Sequence, residues 1–216
     1  MRYVFDIETN GFLHSCDTVH CIVLKDIDTG EILTLDNDSA VKKLEDADLI
    51  VGHNIIKFDI PVLEKLYSAT FKGKIFDTLV GTRLLFSDIK DKDFSIKDFP
   101  KDCIGKHSLK AWGNRIGEYK EQIDTDWQTF TPEMLEYCKQ DTEVTYKLYK
   151  VIEEKGYSQE AMDLEHEVAS LIFKQEQHGF TFDTEKAQAL SVKLKARLAE
   201  LSEELQGVFK PIVTER

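Results

Sequence analysis

VFDIET, residues 4–9, is the stretch that decides the fold of this chain. Apolar and acidic residues alternate in it, which is the pattern of a β-strand with one face in a core. Asp6 and Glu8 are two positions apart, so both side chains project from the same face. Carboxylates at that range repel each other unless a cation lies between them, and such oxygen ligands suit Mg²⁺ or Mn²⁺. Surface strands often carry such pairs, so the prediction depends on acids elsewhere.

Two further acidic residues follow in settings that favour the same site. Asp59 ends HNIIKFD and opens a predicted helix after the apolar strand 48–52, and open α/β sheets bind ligands at the carboxyl ends of strands. Tyr137 and Asp141 are four positions apart on a predicted helix, so they share one face. Taken alone, Asp59 fits an ordinary first-turn acid and Tyr137 an ordinary core residue. Together, four converging carboxylates suggest a two-metal phosphodiesterase site.

The rest of the pattern predicts an α/β domain with a mixed sheet that ends near residue 155. Strands are predicted at 2–8, 20–26, 31–35, 48–52 and 75–76, and helices at 41–47, 57–67, 77–86, 108–116 and 132–155. Thr131-Pro132-Glu133 is a strong start for the last of these helices. Residues 87–106 have no clear period and predict a long charged loop.

A second, helical unit follows at residues 157–216. A helix is predicted at 161–177 with Gly179 as its stop, then a short extended piece at 180–182. Asp183 or Thr184 begins another helix, whose leucines follow a spacing close to the heptad period: Leu190, Leu194, Leu198, Leu201 and Leu205.

Composition limits the classes of protein that fit. The chain has 216 residues, of which 42% are hydrophobic, so a packed core is expected. No apolar run is long enough to span a bilayer and no secretory signal is visible, so a cytoplasmic protein is expected. The cysteines form no C-x-x-C pair and are predicted to be free thiols.

The net charge of −12 argues against a protein that depends on many phosphate contacts. Bound divalent cations would offset part of it, and an enzyme that holds only a strand end needs few such contacts. A local lysine cluster could supply them, although a solvated loop explains it equally well: Lys90, Lys92, Lys97, Lys101, Lys106 and Lys110.

VFDIET, HN-x-x-x-FD and Y-x-x-x-D, in that order, resemble the three motifs of the DEDD exonucleases whose third motif carries a tyrosine. The resemblance implies an RNase H-like fold, with a five-stranded mixed sheet flanked by helices and a C-terminal helical extension. It also implies removal of nucleotides from 3′ ends by two divalent cations, Mg²⁺ or Mn²⁺. By position, Asp6, Glu8 and Asp141 would hold the first metal, Asp6 would bridge to the second, Asp59 would act through water, and Tyr137 would position the attacking water. Thr9 and Phe12 would touch the terminal nucleotide, and Asn54 would bind the strand.

A narrower resemblance covers most of the remaining chain. KHSLKAWGNRIGEYK, residues 106–120, and FDTLVGTRLL, residues 76–85, are similar to proofreading domains of DNA polymerases from short-tailed phages. The tail, in which the acidic stretch 164–183 is followed by the leucine-rich helix, resembles the family A polymerase segment that enters the thumb. The resemblance implies an exonuclease domain at 1–156, the start of a thumb at 157–216, and a polymerase domain in cis. The partner would be a single-stranded DNA 3′ end, and a monomer with no membrane contact is expected.

Two other functions stay open at this point. An exoribonuclease of the same superfamily has the same motifs, because the choice between DNA and RNA depends on contacts with the 2′-OH. A non-catalytic interaction module would use residues 160–216 as a coiled-coil-like docking element. The complete acidic site argues against the second.

Overall fold

The computed structural model describes residues 1–118 and 125–209. It contains a five-stranded mixed sheet with helices on both faces and further helices at the C-terminal side, which confirms the predicted fold class. The strands are β1 (Arg2–Thr9), β2 (Val19–Asp26), β3 (Ile32–Thr34), β4 (Leu49–Gly52) and β5 (Lys74–Asp77). The helices are α1 (Asn37–Glu45), α2 (Asp59–Tyr67), α3 (Thr78–Leu85), α4 (Ile89–Asp93), α5 (Leu109–Ile116), α6 (Pro132–Lys155), α7 (Gln159–His178) and α8 (Thr184–Val208), with a 3₁₀ turn at Lys101–Cys103.

Strand β1 lies at the centre of the sheet, whose order is β3-β2-β1-β4-β5. It pairs antiparallel with β2 and parallel with β4, and β4 pairs parallel with β5. Parallel pairing places the carboxyl ends of β1, β4 and β5 at the same end of the sheet. The acidic residues of the first two motifs therefore lie at this end.

Alternation along β1 divides its side chains between two cores. Tyr3, Phe5 and Ile7 pack in the core that includes residues of α1 and α2. Val4 packs in the core that includes residues of α5 and α6. Because Asp6 and Glu8 have the same parity as Val4, they lie on the side of the sheet that α6 covers.

Helix α1 begins about one turn earlier than the predicted 41–47. The Asp36 carboxylate accepts the N–H of Ser39 at 2.9 Å, so Asp36 caps the helix at Asn37. The apolar spacing alone had marked only its second half. Smaller differences of two residues occur at the starts of α2 and α7, within the usual uncertainty of helix ends.

The prediction that residues 87–106 form one long loop is wrong, because α4 and the 3₁₀ turn lie within it. A buried ion pair holds this segment: the side chains of Asp93 and Arg115 are 0% and 6% exposed, with Nη2 and Oδ2 2.8 Å apart. The Asp93 carboxylate also accepts the N–H of Gly105, and Arg115 donates to the C=O of Lys106. Burial raises the pKa of Asp93, but hydrogen bonds from Arg115 and Gly105 and the Arg115 charge lower it overall.

Contacts between backbone positions divide the chain into two compact units, 1–176 and 177–216. In the second unit the leucines of α8 named above are exposed. The domain boundary after residue 156 and the thumb-like character of residues 157–216 stay predictions. All four cysteines are buried free thiols, as predicted. Within the described residues, no helix is both long and apolar enough to cross a membrane.

Arg115→Met is expected to lower the free energy of unfolding by about 3–5 kcal/mol, because it leaves the Asp93 carboxylate buried without its cation. Methionine keeps an apolar stem beside Trp112, over which the guanidinium lies at 4.8 Å. Urea unfolding followed by circular dichroism measures the change. The matched control is Lys110→Met, which breaks the exposed 2.8 Å pair with Asp102 and should cost less than about 1 kcal/mol. Equal losses of stability in the two variants would contradict a stabilising role of the buried Asp93–Arg115 ion pair.

Candidate active site

The first motif presents its two carboxylates toward α6. Carboxylate oxygens of Asp6 and Glu8 and the Sγ of Cys138 all lie within 4.8 Å of one another. The strand register agrees, since Glu8 pairs with Cys21, which packs against Cys138. The Cys138 thiol also donates to the C=O of Asp6 at 3.3 Å. Helix α6 is thereby held directly against the acidic end of β1.

Asp59 lies beside the end of β1. It is the first residue of α2 and only 5% exposed, and the nearby backbone N–H groups of Asp59 itself and of Ile7 favour its ionised form, which partly offsets the effect of burial on its pKa. Burial raises the pKa of Asp59 to about 7, and the negative charges of Asp77 and Asp141 contribute to the rise. The Asp59 carboxylate therefore lies within electrostatic range of Asp141.

Helix α6 supplies the fourth carboxylate and the tyrosine. Asp141 is 6% exposed, and Tyr137 lies one turn before it. The ring of Tyr137 makes an edge contact with Trp127, with centroids 6.1 Å apart and planes at 71°. The backbone oxygen of Trp127 lies 2.9 Å from Nε2 of His20 on β2. Helix α6 thus places Cys138 against Asp6 and Glu8, and Asp141 within electrostatic range of Asp59.

The three predicted substrate residues have different surroundings. Thr9 is buried and its hydroxyl donates to the C=O of Gly11 at 2.9 Å, while the Phe12 side chain is 85% exposed. Asn54 follows β4 and has a φ of 67°, in the left-handed region that asparagine tolerates better than most residues. Thr9 and Asn54 lie at the carboxyl ends of neighbouring strands, and Phe12 closely follows the end of β1.

Asp77 and Trp127 were absent from the predicted site. Asp77 caps α3, where its carboxylate accepts the N–H of Leu79 at 2.9 Å. Its buried carboxylate also accepts the N–H of Asn54 at 2.8 Å and of Ile56 at 3.1 Å. These contacts span more than 20 residues of sequence, so no local pattern shows them. No periodic sequence pattern surrounds Trp127, so its contact with Tyr137 could not be predicted from the sequence.

The donor set fits hard divalent cations. Asp6, Glu8 and Asp141 offer carboxylate oxygens, the ligands that Mg²⁺ and Mn²⁺ prefer. The raised pKa of Asp59 shows how strongly burial and the neighbouring carboxylates disfavour a further negative charge. A cation would relieve that repulsion, and Asp59 is placed to support it from α2.

A sequence model of the RNase_H superfamily matches residues 3–153, and the chain belongs to this superfamily. It is 33% identical to the DNA-directed DNA polymerase of Escherichia phage T7, over 95% of this chain, and 32% identical to that of Enterobacteria phage T3 over the same share. The chain spans 37% of the length of each polymerase. The resemblance to exonuclease domains of phage-type DNA polymerases is confirmed, and these matches support the enzyme class, a 3′–5′ exonuclease.

Solved structures show the same fold at low sequence identity. One, described as the apo form of a nuclease, matches with a TM-score of 0.54 at 22% identity, over 80% of this chain and 79% of the other. Brucella melitensis NrnC bound to pGG matches with a TM-score of 0.52 at 19% identity, over the same shares.

Asp59→Asn is expected to raise the thermal unfolding midpoint at pH 8 in EDTA. Because the folded-state pKa of Asp59 lies above its unfolded value, the folded protein binds more protons, and stability falls as the pH rises from about 4 to about 7. Asparagine removes that loss, so the gain should shrink as the pH is lowered toward 4.

Added Mg²⁺ should then stabilise the wild-type protein more than the Asp59→Asn variant. Differential scanning fluorimetry across pH measures both effects, with the exposed Asp91→Asn as the control. If the unfolding midpoints of Asp59→Asn and Asp91→Asn depend on pH in the same way, the raised pKa of Asp59 is contradicted.

Proposed function

We propose that this chain is a metal-dependent 3′–5′ exonuclease that shortens single-stranded DNA ends as the proofreading part of a phage-type DNA polymerase. The observation that carries the proposal is that one helix, α6, serves both pairs of acids: its Cys138 lies within 4.8 Å of the Asp6 and Glu8 carboxylates, and its Asp141 acts electrostatically on the buried Asp59. Homology with two phage DNA polymerases supports DNA as the substrate and a polymerase domain in cis.

Each residue of the site has a distinct task in this reaction. Asp6, Glu8 and Asp141 would hold the first cation, with Asp6 shared by the second and Asp59 acting through water. When bound, two divalent cations stabilise the charge on the attacking and leaving oxygens of a phosphodiester. The Tyr137 hydroxyl orients the attacking water, and the edge contact with Trp127 restrains its ring. The product would be a nucleoside 5′-monophosphate.

Mg²⁺ is the first cation to test. The oxygen-rich donor set favours it, and NrnC, a structural relative at 18% identity and a TM-score of 0.50, has been solved with bound Mg²⁺. Mn²⁺ has the same ligand preference and is the second choice.

A cavity of about 600 Å³ beside Asn54 offers a path for the strand. Its lining includes the cationic side chains of Arg83 and Lys106 and the imidazoles of His53 and His107. Burial is the main cause that lowers the pKa of His107, and the nearby charges of Arg115 and Arg83 add to it. In a chain of net charge −12, such a surface suits the phosphates of a nucleic acid. Lys106 is also the member of the predicted lysine cluster that lines this cavity.

Asp6→Ala should lower kcat on a single-stranded DNA oligonucleotide by at least about 10³-fold, because it removes the ligand shared by both cations. Tyr137→Phe should cost less, about 10- to 100-fold, since the cations remain. EDTA should stop the wild-type reaction. Gel analysis of 3′-end shortening measures these rates, and circular dichroism shows that each variant is folded. Robust cleavage by the Asp6→Ala variant, or by the wild-type protein in EDTA, would contradict the proposal.

The same assay separates the remaining functions. Faster cleavage of an RNA oligonucleotide than of the matched DNA would indicate an exoribonuclease. Absence of any Mg²⁺- or Mn²⁺-dependent cleavage by the folded wild-type protein would favour an interaction module.

Arg83→Glu combined with Lys106→Glu should raise KM for single-stranded DNA about tenfold or more and change kcat little. Both side chains are exposed in the cavity lining, so the substitutions remove phosphate contacts and add repulsion. The dependence of KM on salt should also become shallower. Lys42→Glu on α1, which packs on the other face of the sheet, is the charge-matched control. An unchanged KM in the double variant would exclude this path.

A further inference from the structure

His166 on α7 contacts the backbone of the outer strand β5 through its imidazole ring. Its Nε2 accepts the backbone N–H of Asp77 at 2.7 Å, and its Nδ1 lies 2.7 Å from the C=O of Met162. An imidazole that accepts at Nε2 and donates at Nδ1 is neutral, with its proton on Nδ1. Strand β5 is one of the two edge strands of this sheet, so helix α7 satisfies an N–H group that no further strand covers.

Asp77 connects this contact to the loop that carries Asn54. The carboxylate of Asp77 accepts the N–H groups of Asn54 and Ile56, within the segment that joins β4 to α2. It is 2% exposed, so these bonds are shielded from water. The hydrogen bonds therefore run from His166 through Asp77 to Asn54, and α2 then begins at Asp59.

We propose that His166 is a positioning residue, which acts through Asp77 to hold Asn54 where it binds the 3′ end of the strand. The structural link stands by itself, while its effect on substrate rests on the proposed function. In this arrangement, the docking of α7 sets the strength of strand binding but leaves the carboxylates of β1 and α6 in place.

Other contacts keep α7 docked when the His166 acceptor is lost. The ring of His166 lies beside Phe76, with centroids 5.0 Å apart, and Met162 is fully buried. Lys74 and Asp163 form a further ion pair at 2.5 Å. His166→Phe therefore retains an aromatic ring and removes the acceptor, whereas His166→Gln retains an acceptor on a side chain of similar reach.

Amide hydrogen exchange tests the link without any nuclease assay. His166→Phe should speed exchange at Asp77, Asn54 and Ile56 by about tenfold or more, because a buried N–H loses its partner and the loop loosens. His166→Gln should stay close to the wild-type rates. Glu167→Gln, at an exposed position next in sequence, is the control. Unchanged exchange at Asn54 and Ile56 in His166→Phe overturns the proposal, even if Asp77 alone responds.

Kinetics on a single-stranded DNA oligonucleotide test the functional half. His166→Phe should raise KM about 5- to 10-fold with kcat within about twofold, and His166→Gln should restore KM. In an Asn54→Ala background, His166→Phe should have no further effect on KM, because the two residues act in series. Additive effects, or a fall in kcat at constant KM, overturn the role in strand binding. A wild-type protein without activity would refute the proposed function but leave the exchange result to decide the structural link.

Discussion

The parallel pairing of β1 with β4 is the constraint that brings the first two acidic motifs together. It places the end of β1 and the start of α2 at the same end of the sheet, where the backbone N–H of Ile7 favours the ionised form of Asp59. Helix α6 then closes the site from the face on which Asp6 and Glu8 project, and brings Asp141 within electrostatic range of Asp59. The proximity of these carboxylates is therefore a consequence of the central position of β1, its parallel pairing with β4 and the placement of α6.

Such a site works against the stability of the fold. A carboxylate that is buried beside others has its charged form disfavoured, and Asp59 shows this in a pKa of about 7. Local sequence rules are commonly broken at functional sites and compensated elsewhere. Here the backbone N–H groups of Asn54, Ile56 and Leu79 donate to the buried Asp77 carboxylate, and the cations Arg83 and Lys106 line the cavity next to Asn54. The overall charge of −12 therefore conceals a local separation of charge.

The elements with strong periodic or capping signals were predicted well. Strand β1 and helix α6 follow from alternation and from the Thr131-Pro132 start, and their geometry already places Asp6 with Glu8 and Tyr137 with Asp141. Features that depend on distant partners were missed. The order within residues 87–106 depends on an ion pair between Asp93 and Arg115, 22 residues apart. The Asp77 contacts with Asn54 and Ile56 cross from one strand end to the next.

The sequence by itself determined the kind of chemistry, because residue type and spacing within one element are local properties. A two-residue period on a strand and a four-residue period on a helix place side chains on one face whatever the rest of the chain does. Only the tertiary structure decided which faces meet, how deeply Asp59 and Asp141 are buried, and how α7 reaches Asp77 through His166. Burial, electrostatic coupling and long-range hydrogen bonds depend on the distances between separate elements, which local periodicity does not encode.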